Sequence, residues 1–209
     1  MYMTRIFLKR QPVANVTHGI ISSAFPHKRN EKANENLWRI DDIGENIILL
    51  IVSSNNPDLQ FIEDKIGLPG HKSSSEDNGN KLNKTVNYAP FLGKLDIGQV
   101  WNFRLCANPV KHEKLENDDK RGKVRALYKK DDQIAWIERQ SEKNGFSIKD
   151  CKIIADYKIN FDDIKILSVT FDGTLIITDV NIFRNALTKG IGRGKAYGCG
   201  LLTIAKANI

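Results

Sequence analysis

Three features of this 209-residue chain have residue types and spacings that admit chemistry: a run of glycines, a basic stretch and four histidines. The run Gly190-Ile-Gly-Arg-Gly-Lys-Ala-Tyr-Gly-Cys-Gly200 lacks the third glycine of the dinucleotide-binding fingerprint, and it follows a helix where that motif would open one. Ala196 after Gly194-Lys195 also excludes a P-loop. What remains is a loop whose backbone can approach a phosphate at Gly192 and Gly194, with Arg193 and Lys195 supplying charge. A turn from helix to strand needs only one or two glycines, so this run asks for a further explanation.

The stretch Lys111 to Lys130 holds eight basic residues, among them Lys111, Arg121, Lys123 and Arg125, against four acidic ones. With Gly122 as a turn it reads as a protruding hairpin or loop, and the same composition fits a solvated surface loop. His112-Glu113-Lys-Leu-Glu116 approaches a metalloprotease motif, but Glu116 stands where the second histidine ligand must be, so no metal site is expected. His71 falls in a polar loop, residues 69–81, and reads as solvated. His27, next to Lys28 and Arg29, suits phosphate contact. His18 opens a short helix, where the positive end of the dipole favours a neutral imidazole able to accept a proton; a lone histidine at a helix start also fits a structural role.

The elements that must position these groups follow from periodicity. Strands are expected at Tyr2 to Arg10, Trp38 to Asp41, Ile47 to Ser53 (a hairpin around Gly44) and Leu82 to Tyr88. Between them lie a helix capped by Asn15 or Thr17, with Ile20, Ile21, Ala24 and Phe25 at helical spacing, and a helix capped by Asn56 with Leu59, Ile62 and Ile66 on one face. The pattern then repeats. Val100 to Ala107 is a strand, Asp131 or Asp132 caps a helix with Ile134, Trp136 and Ile137, and Ile164 to Phe171 turns through Asp172-Gly173 into Thr174 to Thr178. Asp179 caps a helix carrying Val180, Phe183 and Leu187, and Leu201 to Lys206 closes the chain as a strand. The expected fold is α+β: two tandem ferredoxin-like (RRM-like) βαββαβ domains, residues 1–93 and 94–209, the second carrying the basic hairpin and the glycine-rich loop.

Hydrophobic residues at 41% and charged residues at 27% exclude disorder as the main description. The longest clean apolar run, Ile47 to Val52, is far below the ~20 residues of a membrane span, and no secretory leader pattern opens the chain. Cys106, Cys151 and Cys199 lie far apart with no CxxC pair, which fits reduced thiols, no cofactor and a cytoplasmic setting. The +7 formal charge is uneven: residues 1–93 hold 11 basic against 10 acidic side chains, residues 94–209 hold 21 against 15, and residues 181–209 hold no acid at all. Such a basic end favours a polyanion.

With these residues in view, the sequence resembles the CasE family, the CRISPR repeat endoribonucleases of type I-E Cascade. The resemblance covers nearly the whole chain. It rests on the ending Gly190 to Ala205, on Phe103-Arg-Leu-Cys-Ala-Asn-Pro-Val-Lys111, on Gln133-Ile-Ala-Trp-Ile137, and on His18 placed eight residues before Pro26. It implies tandem ferredoxin-like domains and a basic face that grips the hairpin of precursor CRISPR RNA and keeps the mature crRNA hairpin. It further implies association with other Cascade subunits, no membrane and no metal, with cleavage by a ribose 2′-hydroxyl that leaves a 2′,3′-cyclic phosphate. His18 falls on the family's catalytic histidine, and Arg104, Lys111, Arg193 and Lys195 fall in segments that the family places near RNA.

Family members often carry tyrosine three residues before that histidine, where this chain has Asn15. Asparagine cannot exchange a proton at a useful pKa, so His18 acts alone or a neighbour such as His27 or Lys28 assists. The alternative is a catalytically inactive subunit that only anchors the RNA hairpin. A generic single-strand binder is disfavoured by the absence of the RNP1 pattern.

Overall fold

Thr4, Ile6 and Leu8 recur at every second position of strand β1 (Tyr2–Leu8) and are buried, as a pleated strand on a core requires. The computed structural model describes residues 1–9, 17–25, 36–72, 82–113, 123–161 and 164–207. They form two units, Met1–Lys94 with Lys195–Gly198, and Leu95–Gly194 with Cys199–Ile209.

In the first unit β1 is followed by α1 (Thr17–Ser23), β2 (Leu37–Ile43), β3 (Asn46–Ser53), α2 (Leu59–Ile66), β4 (Lys84–Asn87) and α3 (Ala89–Gly93). The antiparallel sheet has the order β2-β3-β1-β4, which is the ferredoxin-like arrangement. Ile6, Leu8, Leu49 and Ile51 of the sheet pack against Ile21, Ala24 and Phe25 at α1 and Ile62 and Ile66 of α2, with Trp38 of β2 in the same cluster. Two polar arrangements are buried elsewhere in this unit. Asn83 donates to Glu63 Oε1 at 3.0 Å and accepts from the Phe7 amide at 2.8 Å, while the Arg39 guanidinium grips Asp41 at 2.7 and 2.8 Å.

The second unit contains β5 (Val100–Ala107), β6 (Val110–His112), β7 (Val124–Ala126), α4 (Lys130–Lys143), β8 (Phe146–Phe161), β9 (Ile164–Ile177), α5 (Val180–Lys189) and β10 (Leu202–Lys206). Its sheet order β10-β5-β9-β8 repeats the first topology, with β6 and β7 inserted as a separate two-stranded ribbon. Phe146, Phe171 and Phe183 are fully buried, Phe146 meeting Phe183 edge-on and Phe171 stacking with Trp136.

Several element ends differ from the sequence expectation. The cap of α2 is Asp58, not Asn56: its carboxylate accepts the Phe61 amide at 3.0 Å, satisfying a donor of the first turn. Asp131 and Asp132 do not cap α4; they lie inside its first turn, where carboxylates meet the positive end of the dipole, and extended Lys129 precedes them. Thr17 is the first helical residue of α1, and Asn15 lies outside the described residues. The capping of α5 agrees with expectation, since Asp179 accepts the Asn181 and Ile182 amides at 2.9 Å each.

The expected hairpin at Asp172-Gly173 is wrong. β9 runs straight through both residues between its antiparallel partners β5 and β8, the latter a strand the periodicity did not reveal. Gly173 sits between Phe103 of β5 and Cys151 of β8, where an added Cβ would overlap the Asp150 carbonyl oxygen. The glycine serves a close approach of two strands beside a register shift between Ile148 and Asp150, and no turn is made there.

Gly173→Ala is therefore expected to lower stability by about 2 kcal/mol or more, whereas Gly93→Ala, with nothing within 4 Å of an added Cβ, should change it by less than ~0.5 kcal/mol. Denaturant midpoints of the two variants compared with the parent check this; equal midpoints would remove the steric explanation.

Candidate functional site

The glycine-rich loop begins where α5 ends. Gly190 caps the helix, its amide donating to Ala186 O at 3.0 Å, and the Ile191 amide donates to Gly200 O at 2.9 Å. Arg193 forms an isolated antiparallel bridge with Asn108, the Cys199 amide reaches Gly194 O at 3.2 Å, and the Gly200 amide reaches Cys106 O at 2.6 Å. The loop is thus laced to the Phe103–Lys111 segment, which explains why these two stretches carry the sequence signature together. All five glycines of the run have positive φ, from 73° at Gly190 to 91° at Gly200.

Two of the five also sit against tryptophans. A Cβ on Gly192 would stand 3.2 Å from Trp136 Cζ2, within the second unit. Lys195–Tyr197 forms a 3₁₀ turn that belongs to the first unit, and a Cβ on Gly198 would stand 2.8 Å from Trp38 Cζ3. Between these contacts Arg193 is exposed and Lys195 half-buried. Trp38, Trp136 and Asn108 were not singled out as site residues from the sequence. The only signal was the surplus of glycines, which implies that something presses on the loop.

Arg104 is held in place by a bidentate pair with Asp172 of β9, Nε to Oδ1 at 2.7 Å and Nη2 to Oδ2 at 2.6 Å. Beneath the loop, the buried thiol of Cys106 lies 3.0 Å from the Ser168 hydroxyl. Cys199, far from any cysteine in sequence, shares a hydrogen bond with Cys106; that bond and burial hold its thiol well above the ordinary range. The Cys151 thiol is pushed up to about 11, chiefly by burial and then by Asp150, Asp172 and Glu138.

The basic stretch does form a hairpin. Val110–His112 pairs with Val124–Ala126, Lys111 facing Arg125 and His112 facing Val124. Lys111, His112, Lys123 and Arg125 are exposed, and Arg125 Nε meets Glu113 Oε2 at 2.6 Å, an exposed pair worth little in stability. Arg121 lies outside the described residues, as do Lys28, Arg29 and His27.

His18 is exposed on α1, whose inner face is fixed by Ile21 in the core shared with Trp38. The first unit thus holds both His18 and Lys195, while Arg104, Lys111, Lys123, Arg125 and Arg193 belong to the second. The first unit presents an exposed imidazole, and the second presents cations of the kind that suit phosphates. Among the described residues, no group of three or more His, Cys, Asp or Glu side chains could hold a metal ion, and no helix is long and apolar enough to cross a membrane.

Comparison with known proteins gives a consistent set of relatives. The model of the CRISPR associated protein family matches residues 1–206. The Cascade subunit CasE of Escherichia coli K12 is 34% identical over 123 residues, 54% of this chain and 61% of that protein. The CRISPR-associated endoribonuclease Cse3 of Thermus thermophilus is 25% identical over 231 residues, 98% of this chain and 100% of the relative. A solved structure of Thermus thermophilus Cse3, bound to an RNA representing a pre-cleavage complex, matches with a TM-score of 0.77 at 25% identity, covering 98% of both chains.

The thiol environments predict poor reactivity, because the thiolate is the nucleophile. In the folded protein near neutral pH, Cys151 and Cys199 should react with iodoacetamide far more slowly than in denaturant, and the Cys151 rate should climb about tenfold per pH unit up to its pKa of about 11. Peptide mass mapping of the alkylated sites checks this, and fast labelling of either thiol at neutral pH would contradict it.

Proposed function

The chain belongs to the CRISPR associated protein family, in its CasE branch, and from that premise we propose that it is a metal-independent endoribonuclease of precursor CRISPR RNA that stays on the cleaved hairpin as a Cascade subunit in the cytoplasm. Likeness over 98% of both chains to an RNA-bound Cse3 carries the proposal. Residues 1–93 and 94–209 act as its two ferredoxin-like domains. The exposed Lys111, Lys123 and Arg193, with half-buried Lys195, support phosphate contact, and Arg121, Lys28 and Arg29 are assigned to the same role from their sequence context. Arg104, oriented by Asp172, and the backbone at Gly192 and Gly194 complete the set.

In the chemistry proposed, the 2′-hydroxyl loses its proton and its oxygen bonds to the adjacent phosphorus. The bond from phosphorus to the 5′-oxygen breaks, that oxygen takes up a proton, and the products are a 2′,3′-cyclic phosphate and a 5′-hydroxyl. His18 is the group that moves a proton, for which an exposed imidazole on a helix seated by Ile21 is suited. An A-form stem hides its base edges in a deep groove, so recognition falls on backbone and shape.

His18→Ala should slow single-turnover cleavage of repeat RNA at least about a hundredfold while binding changes by no more than ~1.5 kcal/mol. Cleavage should proceed in EDTA and give a cyclic phosphate end, and a 2′-deoxy nucleotide at the cut site should abolish cutting but not binding. Normal cutting by His18→Ala would remove the catalytic assignment; a parent protein that binds the hairpin without ever cutting it would leave an inactive anchoring subunit.

Binding of that RNA should weaken steeply with salt. If ~6 phosphates are engaged, log K against log salt falls with a slope of roughly −5. Filter binding across a salt series measures it, and a flat response would exclude a phosphate-dominated interface.

A further inference from the structure

We propose that Trp38 is a positioning residue: its indole seats the Lys195–Gly198 turn and so fixes the Lys195 ammonium against the RNA backbone. The inference rests on the RNA-binding function proposed above. It concerns a residue that lies about 160 positions from the turn it supports.

The contact is a flat one. A Cβ on Gly198 would lie 2.8, 3.1 and 3.2 Å from Cζ3, Cη2 and Cε3 of Trp38, so the main chain at φ +81° passes over the benzo edge of the indole with no room for a methyl group. Both partners are buried, and the Gly198 amide closes the turn on Lys195 O at 3.3 Å. Trp38 Nε1 is buried without a hydrogen-bond partner, a state that costs about 1–3 kcal/mol. The indole is therefore not there for its N–H. What it provides is reach: from β2 it packs with Ile21, Ala24 and Phe25 around α1 and still extends to the turn. One rigid ring thus supports, inside a single unit, the helix that bears His18 and the turn that opens with Lys195. A lysine on an unsupported glycine-rich turn would sample many positions, and ordering it on the RNA would offset part of each phosphate contact.

The test measures repeat-hairpin affinity against salt for the full chain carrying Lys195→Ala, Trp38→Leu and both together. Lys195→Ala should weaken binding several-fold and reduce the steepness of the salt slope by about 1, the mark of one lost phosphate contact. Trp38→Leu should do the same, and the double variant should bind no worse than either single one, because both remove the same contact. A merely destabilised protein would lose affinity equally at every salt concentration and keep its slope. If Trp38→Leu fails to fold, Gly198→Ala decides the matter: it keeps the indole but forces it and the turn apart, and it should reproduce the altered slope. An unchanged slope in the folded Trp38 or Gly198 variant, or losses that multiply in the double variant, would overturn the role of Trp38. An unchanged slope in Lys195→Ala would instead show that Lys195 meets no phosphate, overturning the RNA contact on which the proposal depends.

Discussion

Close approach of main chain to its neighbours, possible only where no Cβ intervenes, is the constraint on which this structure depends most. It operates at Gly173, which lets β8 and β9 pass at a register shift, and at Gly192 and Gly198, which let one loop lie against two different indoles. In each case the glycine is fixed by what lies opposite it. The cost of a flexible loop backbone is offset by hydrogen bonds at both ends, through Ala186, Cys106 and the Asn108 bridge, so that the cations between them start from a restricted set of positions.

Electrostatics divides the basic residues into two kinds. Arg39, Arg104 and Arg125 each grip a carboxylate, and the first pair is buried almost completely, where an uncompensated charge would be prohibitive. These arginines contribute orientation more than net field. Lys111, Lys123 and Arg193 are exposed instead, so their charge faces solvent. The sign of the whole molecule is thus a poor guide to its binding face. The distribution between paired and solvent-facing cations is the informative quantity, and it explains why an excess concentrated in residues 94–209 coexists with several well-neutralised arginines.

How far the sequence foretold this structure depends on whether local or distant contacts decide each element. Asp179 with Gly190 frames α5 by contacts within the helix itself, and Gly44 with φ 63° joins β2 to β3, so both were readable from neighbouring residues. The βαββαβ order of the first unit was readable for the same reason, whereas in the second unit the expected order divided β9 at Asp172-Gly173 into two strands that stood in for β8 and β9. β8 was not, because shifts of register at Ile148/Asp150 and Ile153/Ala155 break the two-residue alternation on which recognition of a strand relies. Asp172-Gly173 carried a genuine turn signature that packing between β5 and β8 overrides, and Asp172 gained a partner, Arg104, from 68 residues away. At the site, residue types were legible but their supports were not: no spacing rule connects Trp38 to Gly198 or Asn108 to Arg193.

The same burial that shapes the site also decides which of its side chains can do proton chemistry. Cys199 is itself part of the glycine-rich run, yet its hydrogen bond to Cys106 and its burial keep it a neutral thiol, and Cys151 is held neutral far above physiological pH. A neutral buried thiol packs like a small hydrophobic group and does not attack a phosphate. His18 stands in the opposite situation, exposed on a seven-residue helix whose inner face is locked by Ile21. The short helix supplies the position, and the core cluster that holds Ile21 and Trp38 keeps that helix in place.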